Sequence, residues 1–213
     1  MIDKTSITIK AYDNNAVEFT SRFMDLSLYK KSFENYAEFL HDDDTVLDLG
    51  CGPGNVSSFL LNSNPSLKIT GIDLSEKMIE LAKQNVPKAD FIIDDIRNIQ
   101  NRFTKKFDHI IASFCLPFLY DEEACKFICG CSALLNKGGY MYLSTMMGKG
   151  YQYEIPSFSK GDKMFFNYYS KEFIQDCFNK NSLSIVHYSV QDYHNMDGSV
   201  LKDMIYFLQK KLL

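Results

Sequence analysis

The stretch VLDLGCGPGN, residues 46–55, runs from apolar strand formers straight into three glycines within five positions. A glycine held in one conformation costs more backbone entropy than any other residue, so such a cluster needs a reason. Gly50, Gly52 and Gly54 follow the strand-like TVLDL and lead into the helical pattern VSSFLLN. The loop is thereby expected at the carboxyl end of a strand and the N-terminus of a helix, where open parallel sheets take ligands. A tight turn that binds nothing rarely needs three glycines. Dinucleotide fingerprints also use such a loop, but their third glycine stands three positions after the second. Here it stands two after, and position 55 is Asn.

Strand and helix patterns alternate along the chain from Asp44 onward. TVLDL (45–49), LKITGI (67–72), ADFII (89–93), FDHIIASF (107–114) and GYMYLST (139–145) read as strands. Between them, SEKMIELAKQN opens on a capping Ser75, and DEEACKFICGCSALLNKGG starts acidic and stops at a glycine pair. The capped helix SKEFIQDCFNKN and two strand-like runs, LSIVHYSV and VLKDMIYFLQ, follow. Five strands with crossover helices, then a helix and two strands, predict an α/β three-layer sandwich with a seven-strand sheet. Residues 13–41 read as one or two amphipathic helices, with Phe19, Phe23, Leu26, Phe33, Tyr36 and Phe39 on the apolar positions. No linker or repeat divides the 213 residues, so one domain is expected: a helical cap at 1–43, a binding core at 44–146, and an insert with the last strands at 147–213.

A formal net charge of −4 with scattered lysines argues against nucleic acid as the main partner, because phosphate binding needs clustered cations. No apolar run approaches the roughly 18 residues of a membrane helix, and MIDKTSITIK has no signal-peptide core. The six cysteines lack the paired spacing of a zinc site, so no metal is expected. They read as reduced, mostly buried thiols in a cytoplasmic protein.

Asp48 precedes the glycines, giving D-x-G-x-G-x-G. This resembles the first motif of the class I S-adenosylmethionine-dependent methyltransferases, and the likeness continues in order over residues 45–145. The group most resembled is the small bacterial ubiquinone-biosynthesis-like methyltransferases. The resemblance implies a Rossmann-like, mostly parallel sheet with a C-terminal antiparallel strand, and S-adenosylmethionine as cofactor. In ITGIDLS, it implies that Asp73 accepts the two ribose hydroxyls, a geometry suited to a vicinal diol. Leu74 would lie against adenine, and Met78 would either face the same pocket or fill the core. In FIIDDIRNI, Asp95 is favoured over its neighbour Asp94 to meet the adenine amino group, with the Ile96 amide on the ring. Ala112 and Ser113 would pass the methionine part, with Phe114 and Leu116 beside the transfer site. Gly50, Cys51, Gly52 and Gly54 would hold the methionine end, and Asp48 would fix the loop or reach the amino group. AYDNNAVEF resembles the family's Y-D-x-x-A opening, which sets Tyr12 over the cofactor.

The implied activity is methyl transfer by in-line displacement. A protein that binds the cofactor without transferring methyl is the alternative. No catalytic residue is assigned: His109 reads as a packed histidine, His187 and His194 lie late in the chain, and Cys115 reads as a buried thiol. Tyr168 and Tyr169 are better placed beside an acceptor pocket. The Asn/Asp-Pro-Pro-aromatic signature of adenine or glutamine amino-methylation and the Pro-Cys motif of cytosine methylation are missing, which with the acidic pI leaves a small-molecule acceptor as the expectation; a monomer or homodimer is expected. The aromatic insert GKGYQYEIPSFSKGDKMFFNYY reads equally as a pocket cap or as a surface hairpin.

Overall fold

The protein is described here by a computed structural model covering residues 3–195 and 198–212. Three helices, α1 (Lys4–Asn14), α2 (Ala16–Phe23) and α3 (Lys30–Ala37), precede the first strand. The alternating core is β1 (Thr45–Leu49), α4 (Asn55–Ser63), β2 (Lys68–Asp73), α5 (Glu76–Asn85), β3 (Asp90–Ile93), a short α6 (Ile99–Arg102), β4 (Phe107–Ser113), α7 (Asp121–Leu134) and β5 (Leu135–Met146). A hairpin of β6 (Gly150–Glu154) and β7 (Met164–Tyr168) leads to α8 (Lys171–Lys180), β8 (Leu183–His194) and β9 (Val200–Lys210).

Seven strands form one sheet in the order β3-β2-β1-β4-β5-β9-β8. The first five run parallel, and β9 is antiparallel to both its neighbours. The sheet is thus mostly parallel, with a single reversed strand at the C-terminus, as the resemblance implied.

Its central strands are apolar on both faces because helices cover both. On one face, Leu47, Ile110, Ala112 and Leu143 pack with Phe127 and Ile128 of α7 and Ile174 and Phe178 of α8. On the other, Val46, Ile111, Tyr142 and Phe207 meet Phe33 and Tyr36 of α3, Leu60 of α4 and Ile79 of α5. This second face carries the cavity at its upper edge. Two capping serines act as the sequence predicts: Ser75 Oγ accepts from the Met78 amide at 3.1 Å, and Ser170 Oγ from the Phe173 amide at 3.2 Å.

Two elements differ from the reading of the sequence. Helix α1 begins at Lys4, well before the segment expected to be helical, because Lys4 is drawn inward. Its Nζ donates to the Phe118 carbonyl at 2.8 Å and pairs with Glu123 at 2.7 Å. The cysteines also depart from the expectation of reduced thiols. Cys125 of α7 and Cys177 of α8 are joined as a disulfide, and Cys129 is exposed. Among the described residues no helix is long and apolar enough to cross a membrane.

Candidate functional site

The three glycines at the end of β1 all adopt left-handed backbone, with φ of +68°, +52° and +80° for Gly50, Gly52 and Gly54. Residues with a Cβ avoid that region by about 1–2 kcal/mol. The loop is pinned from inside. The amides of Gly50 and Cys51 donate to the Ile72 carbonyl at 2.9 and 3.0 Å, and the Gly52 amide donates to Asp73 Oδ2 at 3.0 Å. A side chain at Gly50 would stand 2.9 Å from Cys115 Cβ, and one at Gly54 only 3.0 Å from Val86 Cγ2 of the region after α5. At Gly52 the nearest atom would be a Phe19 ring carbon at 3.7 Å. Gly50 and Gly54 therefore let protein pack on protein. Gly52 alone leaves room.

That room belongs to a cavity of about 660 Å³. It lies between the carboxyl ends of β1, β2, β4 and β5 and a cover made of α1, α2 and the hairpin segment 154–158. Tyr12, Asp48, Gly50, Cys51, Gly52 and Asp73 stand on its wall, as do Leu74, Met78, Asp95, Ile96 and Ser113. Gly54 and Asp94 do not. Asp94 is turned outward to Arg102, whose Nε lies 3.0 Å from its carboxylate. Ala112 and Leu116 are also off the wall, packed in the core on the opposite face of the sheet.

Asp73 is held in place by backbone on both oxygens: Oδ1 accepts from the Ser75 amide at 2.9 Å and Oδ2 from Gly52. Burial raises its pKa, the amides of Ser75, Gly52 and Leu74 pull against that, and Asp13 adds a further rise. Asp48 is almost fully buried and accepts from Ser57 Oγ at 2.6 Å, which ties β1 to α4. Burial pushes its carboxyl up to about 6, Ser57 opposes, and Asp73 adds to the rise. Asp48 is buried and Asp73 half-buried, and among the described residues neither is ion-paired with a cation, an arrangement typical of binding sites. Asp95 differs. It caps the turn 96–98 through the Arg97 amide at 2.9 Å and takes the Arg97 guanidinium on both oxygens. Tyr12 is walled in by the rings of Phe118, Phe158 and Phe19, and burial raises its hydroxyl pKa. Thr8 on α1 also faces the cavity, and its buried Oγ1 has no hydrogen-bond partner among the described residues.

The far half of the cavity was scarcely legible in the sequence. Phe114 closes β4 with φ of +53°, a conformation that bulky residues seldom take. It is held there by its amide, which donates to the Ser144 carbonyl at 3.1 Å, and its ring meets Tyr29 at 4.9 Å between centroids. Non-glycine strain of this kind concentrates at functional sites. The Tyr29 hydroxyl donates to Asp203 Oδ2 at 2.6 Å, and Tyr168 donates to Glu154. Burial pushes the Asp203 carboxyl up to about 6, against the Tyr29 hydrogen bond. The insert proves to be both things the sequence allowed: a hairpin with cross-strand aromatics whose connection covers the cavity.

Among the base candidates, Tyr168 and His194 reach the wall. Tyr169 instead donates to the Leu116 and Leu119 carbonyls as a buried strut. His109 is a packed histidine between Tyr36 and Asp44, with its pKa lowered by burial. His187 packs its ring on Phe207, away from the cavity. Cys115 also reaches the wall, as a buried thiol whose pKa is raised by desolvation.

Residues 46–139 match the profile of the family described as "Methyltransferase domain". The chain is 30% identical over 169 residues to a putative methyltransferase, 235L, of Invertebrate iridescent virus 6, covering 78% of this chain and 61% of that one. It is 43% identical over 83 residues to a trans-aconitate 2-methyltransferase of Escherichia coli O157:H7, covering 39% of this chain and 32% of that one. The chain thus spans about three fifths of the viral relative and a third of the bacterial one. In shape it is similar to a magnesium protoporphyrin IX methyltransferase of Synechocystis PCC 6803 solved with bound SAM: TM-score 0.73, 17% identity, 99% of both chains covered. Residues 46–139 therefore match a methyltransferase domain, and the chain has the fold of the class I S-adenosylmethionine-dependent methyltransferases.

Proposed function

We propose that this protein transfers the methyl group of S-adenosylmethionine to a small-molecule acceptor within the cavity. The observation that carries the reading is the continuity of one 660 Å³ space from the glycine loop and Asp73 to the polar groups Tyr29, Asp203 and Tyr168. A donor and a small acceptor can meet there end to end.

The residues on the wall fit the cofactor. Asp73 has spare lone pairs after its two amide bonds, and these suit the vicinal hydroxyls of a ribose. Asp48, buried and uncompensated, suits the cationic amino group. Gly52 lets the chain be approached without a Cβ in the way, and the first turn of α4 offers its amides to a carboxylate. Leu74, Met78 and Ile96 supply an apolar slot for adenine. Asp95 can accept from the adenine amino group only while also holding Arg97. The unpartnered Thr8 Oγ1 supports a polar ligand on the α1 side as well. Gly54 and Asp94 drop out of this assignment, because neither reaches the wall.

The sulfonium supplies both the activated methyl group and its leaving group, so the protein's task is to align and desolvate. Orientation of this kind can supply roughly 7–11 kcal/mol of a bimolecular barrier. Phe114, Tyr29 and the hairpin aromatics exclude water around the point where an acceptor would approach in line. The decisive experiment is incubation of the protein with methyl-labelled S-adenosylmethionine and a metabolite panel. Label is expected in a small molecule, with S-adenosylhomocysteine as co-product. Faster labelling of tRNA or protein would contradict the reading, and binding of the cofactor with no transfer to any extract fraction would leave a cofactor-binding protein instead.

A further inference from the structure

The acceptor half of the cavity has an unbalanced charge. Asp203 is 2% exposed, and among the described residues its carboxylate is hydrogen-bonded by the Tyr29 hydroxyl at 2.6 Å. Glu154 faces the same space with Tyr168 and Gln152 as partners, and Asp25 stands at its margin. Among the described residues the wall carries two arginines, and neither forms an ion pair with Asp203 or Glu154. Arg97 is paired to Asp95 and Glu123, and Arg22 donates to the Ser157 carbonyl at 3.1 Å and lies 3.5 Å from the Tyr193 hydroxyl. A carboxylate buried without a counter-ion is costly, and such groups cluster where a ligand completes them.

Its place in the sheet separates it from the donor's charge. Asp203 pairs with Met146, two residues beyond Ser144, which pairs with Ser113 at the end of β4. Two strand spacings and two residues of rise put the Asp203 Cα about 12 Å from that of Ser113. This is the length of a small acceptor, not of the donor's sulfonium region. The same wall carries the rings of Tyr29, Phe114 and Tyr168. Aromatic faces combined with a desolvated carboxylate recognise organic cations, because ring quadrupole and full charge act together.

We propose that the acceptor carries an organic ammonium group on an apolar or ring-bearing body, that Asp203, oriented by Tyr29, is the counter-charge of that group, and that the methyl group goes to a different, unprotonated atom of the same body. This rests on the methyl-transfer reading for the word acceptor, but the binding preference stands by itself. An acceptor rich in carboxylates would instead face Asp203 and Glu154.

Calorimetric titration with three probes of like shape tests it: phenethylamine, 2-phenylethanol and phenylacetate, each with and without saturating S-adenosylhomocysteine. The amine is expected to bind at least tenfold tighter than either other probe, and Asp203→Asn to abolish that preference. Tyr29→Phe should keep the preference in weakened form, since the charge remains. Equal binding of the alcohol or the carboxylate, an unaltered preference in Asp203→Asn, or no binding of the amine would each overturn the proposal. The wild-type comparison decides even if the variant is poorly folded. Failure of S-adenosylhomocysteine to bind would contradict the proposed function, whereas the amine preference measured without it still decides this inference.

Discussion

Asp73 and Asp48 both serve the loop as well as any ligand, and that dual role sets what their variants should do. Removing the Asp73 carboxylate strands the Gly52 and Ser75 amides, so Asp73→Ala is expected to lose about 1–3 kcal/mol of stability together with at least 100-fold in S-adenosylhomocysteine affinity. Asp73→Asn should keep more of the stability than of the affinity, and chemical denaturation beside calorimetry separates the two. For Asp48 the sign runs the other way. Its folded pKa of about 6 lies above the unfolded value of 3.8, so the folded state favours the protonated acid. The associated stability is fully present below about pH 3.8 and is lost as pH rises through about 6. The cost of the ionised form is on the order of 3 kcal/mol. Asp48→Asn should therefore stabilise the ligand-free protein at pH 7.5 by about 1–3 kcal/mol, flatten its stability between pH 4 and 6, and weaken cofactor binding. A ligand-free variant less stable than wild type at pH 7.5 would contradict the account. The glycines divide likewise. Gly54→Ala meets both its φ of +80° and Val86, and should cost about 2–4 kcal/mol of stability. Gly52→Ala should impair binding more than folding.

At the scale of elements, the cover is a joint product of two segments far apart in the chain. Asn15 Nδ2 donates to Asp162 at 2.8 Å, the Lys160 amide donates to Asn15 Oδ1 at 3.2 Å, Lys160 pairs with Glu18, and Arg22 reaches the Ser157 carbonyl. Asn15→Ala should loosen α1–α2 from the hairpin, with S-adenosylhomocysteine dissociating several-fold faster in stopped-flow while the melting transition of the sheet shifts little. Unchanged dissociation would mean that this contact does not gate the cavity. The elements that strand and helix periodicity announces, from β1 to β5 and at α5 and α8, lie where the sequence predicts them, because their apolar faces are set by local pattern. Ser75 and Ser170 mark helix starts by the same local chemistry. Helix α1 was illegible since its anchor, Lys4 on Phe118 and Glu123, depends on a partner more than 100 residues away. Asp203 was illegible for a similar reason: within VLKDMIYFLQ it is a lone acid in an apolar run, a signal of something, but Tyr29 gives it meaning only in the fold.

For the whole molecule, the half of the cavity proposed for the cofactor and the half proposed for the acceptor differ in how they are built. The first comes from consecutive strand ends, β1, β2 and the turn after β3, so a motif scan reads Asp48, Asp73 and Asp95 in order. It cannot tell that Gly54 faces α5 or that Asp94 faces Arg102, since neighbouring loop residues point opposite ways. The second half is assembled from α1, α2, the hairpin and β9, whose proximity only the sheet order β5-β9-β8 creates. The central claim is that one cavity receives an adenosyl donor at Gly52 and Asp73 with its sulfur turned toward Phe114. A crystal structure grown with excess S-adenosylhomocysteine tests it most directly. The ribose hydroxyls are expected within hydrogen-bond distance of the Asp73 carboxylate, with the amino group toward Asp48. A ligand bound elsewhere, or a cleft still filled by Phe19 and Tyr12 at saturating ligand, would contradict it.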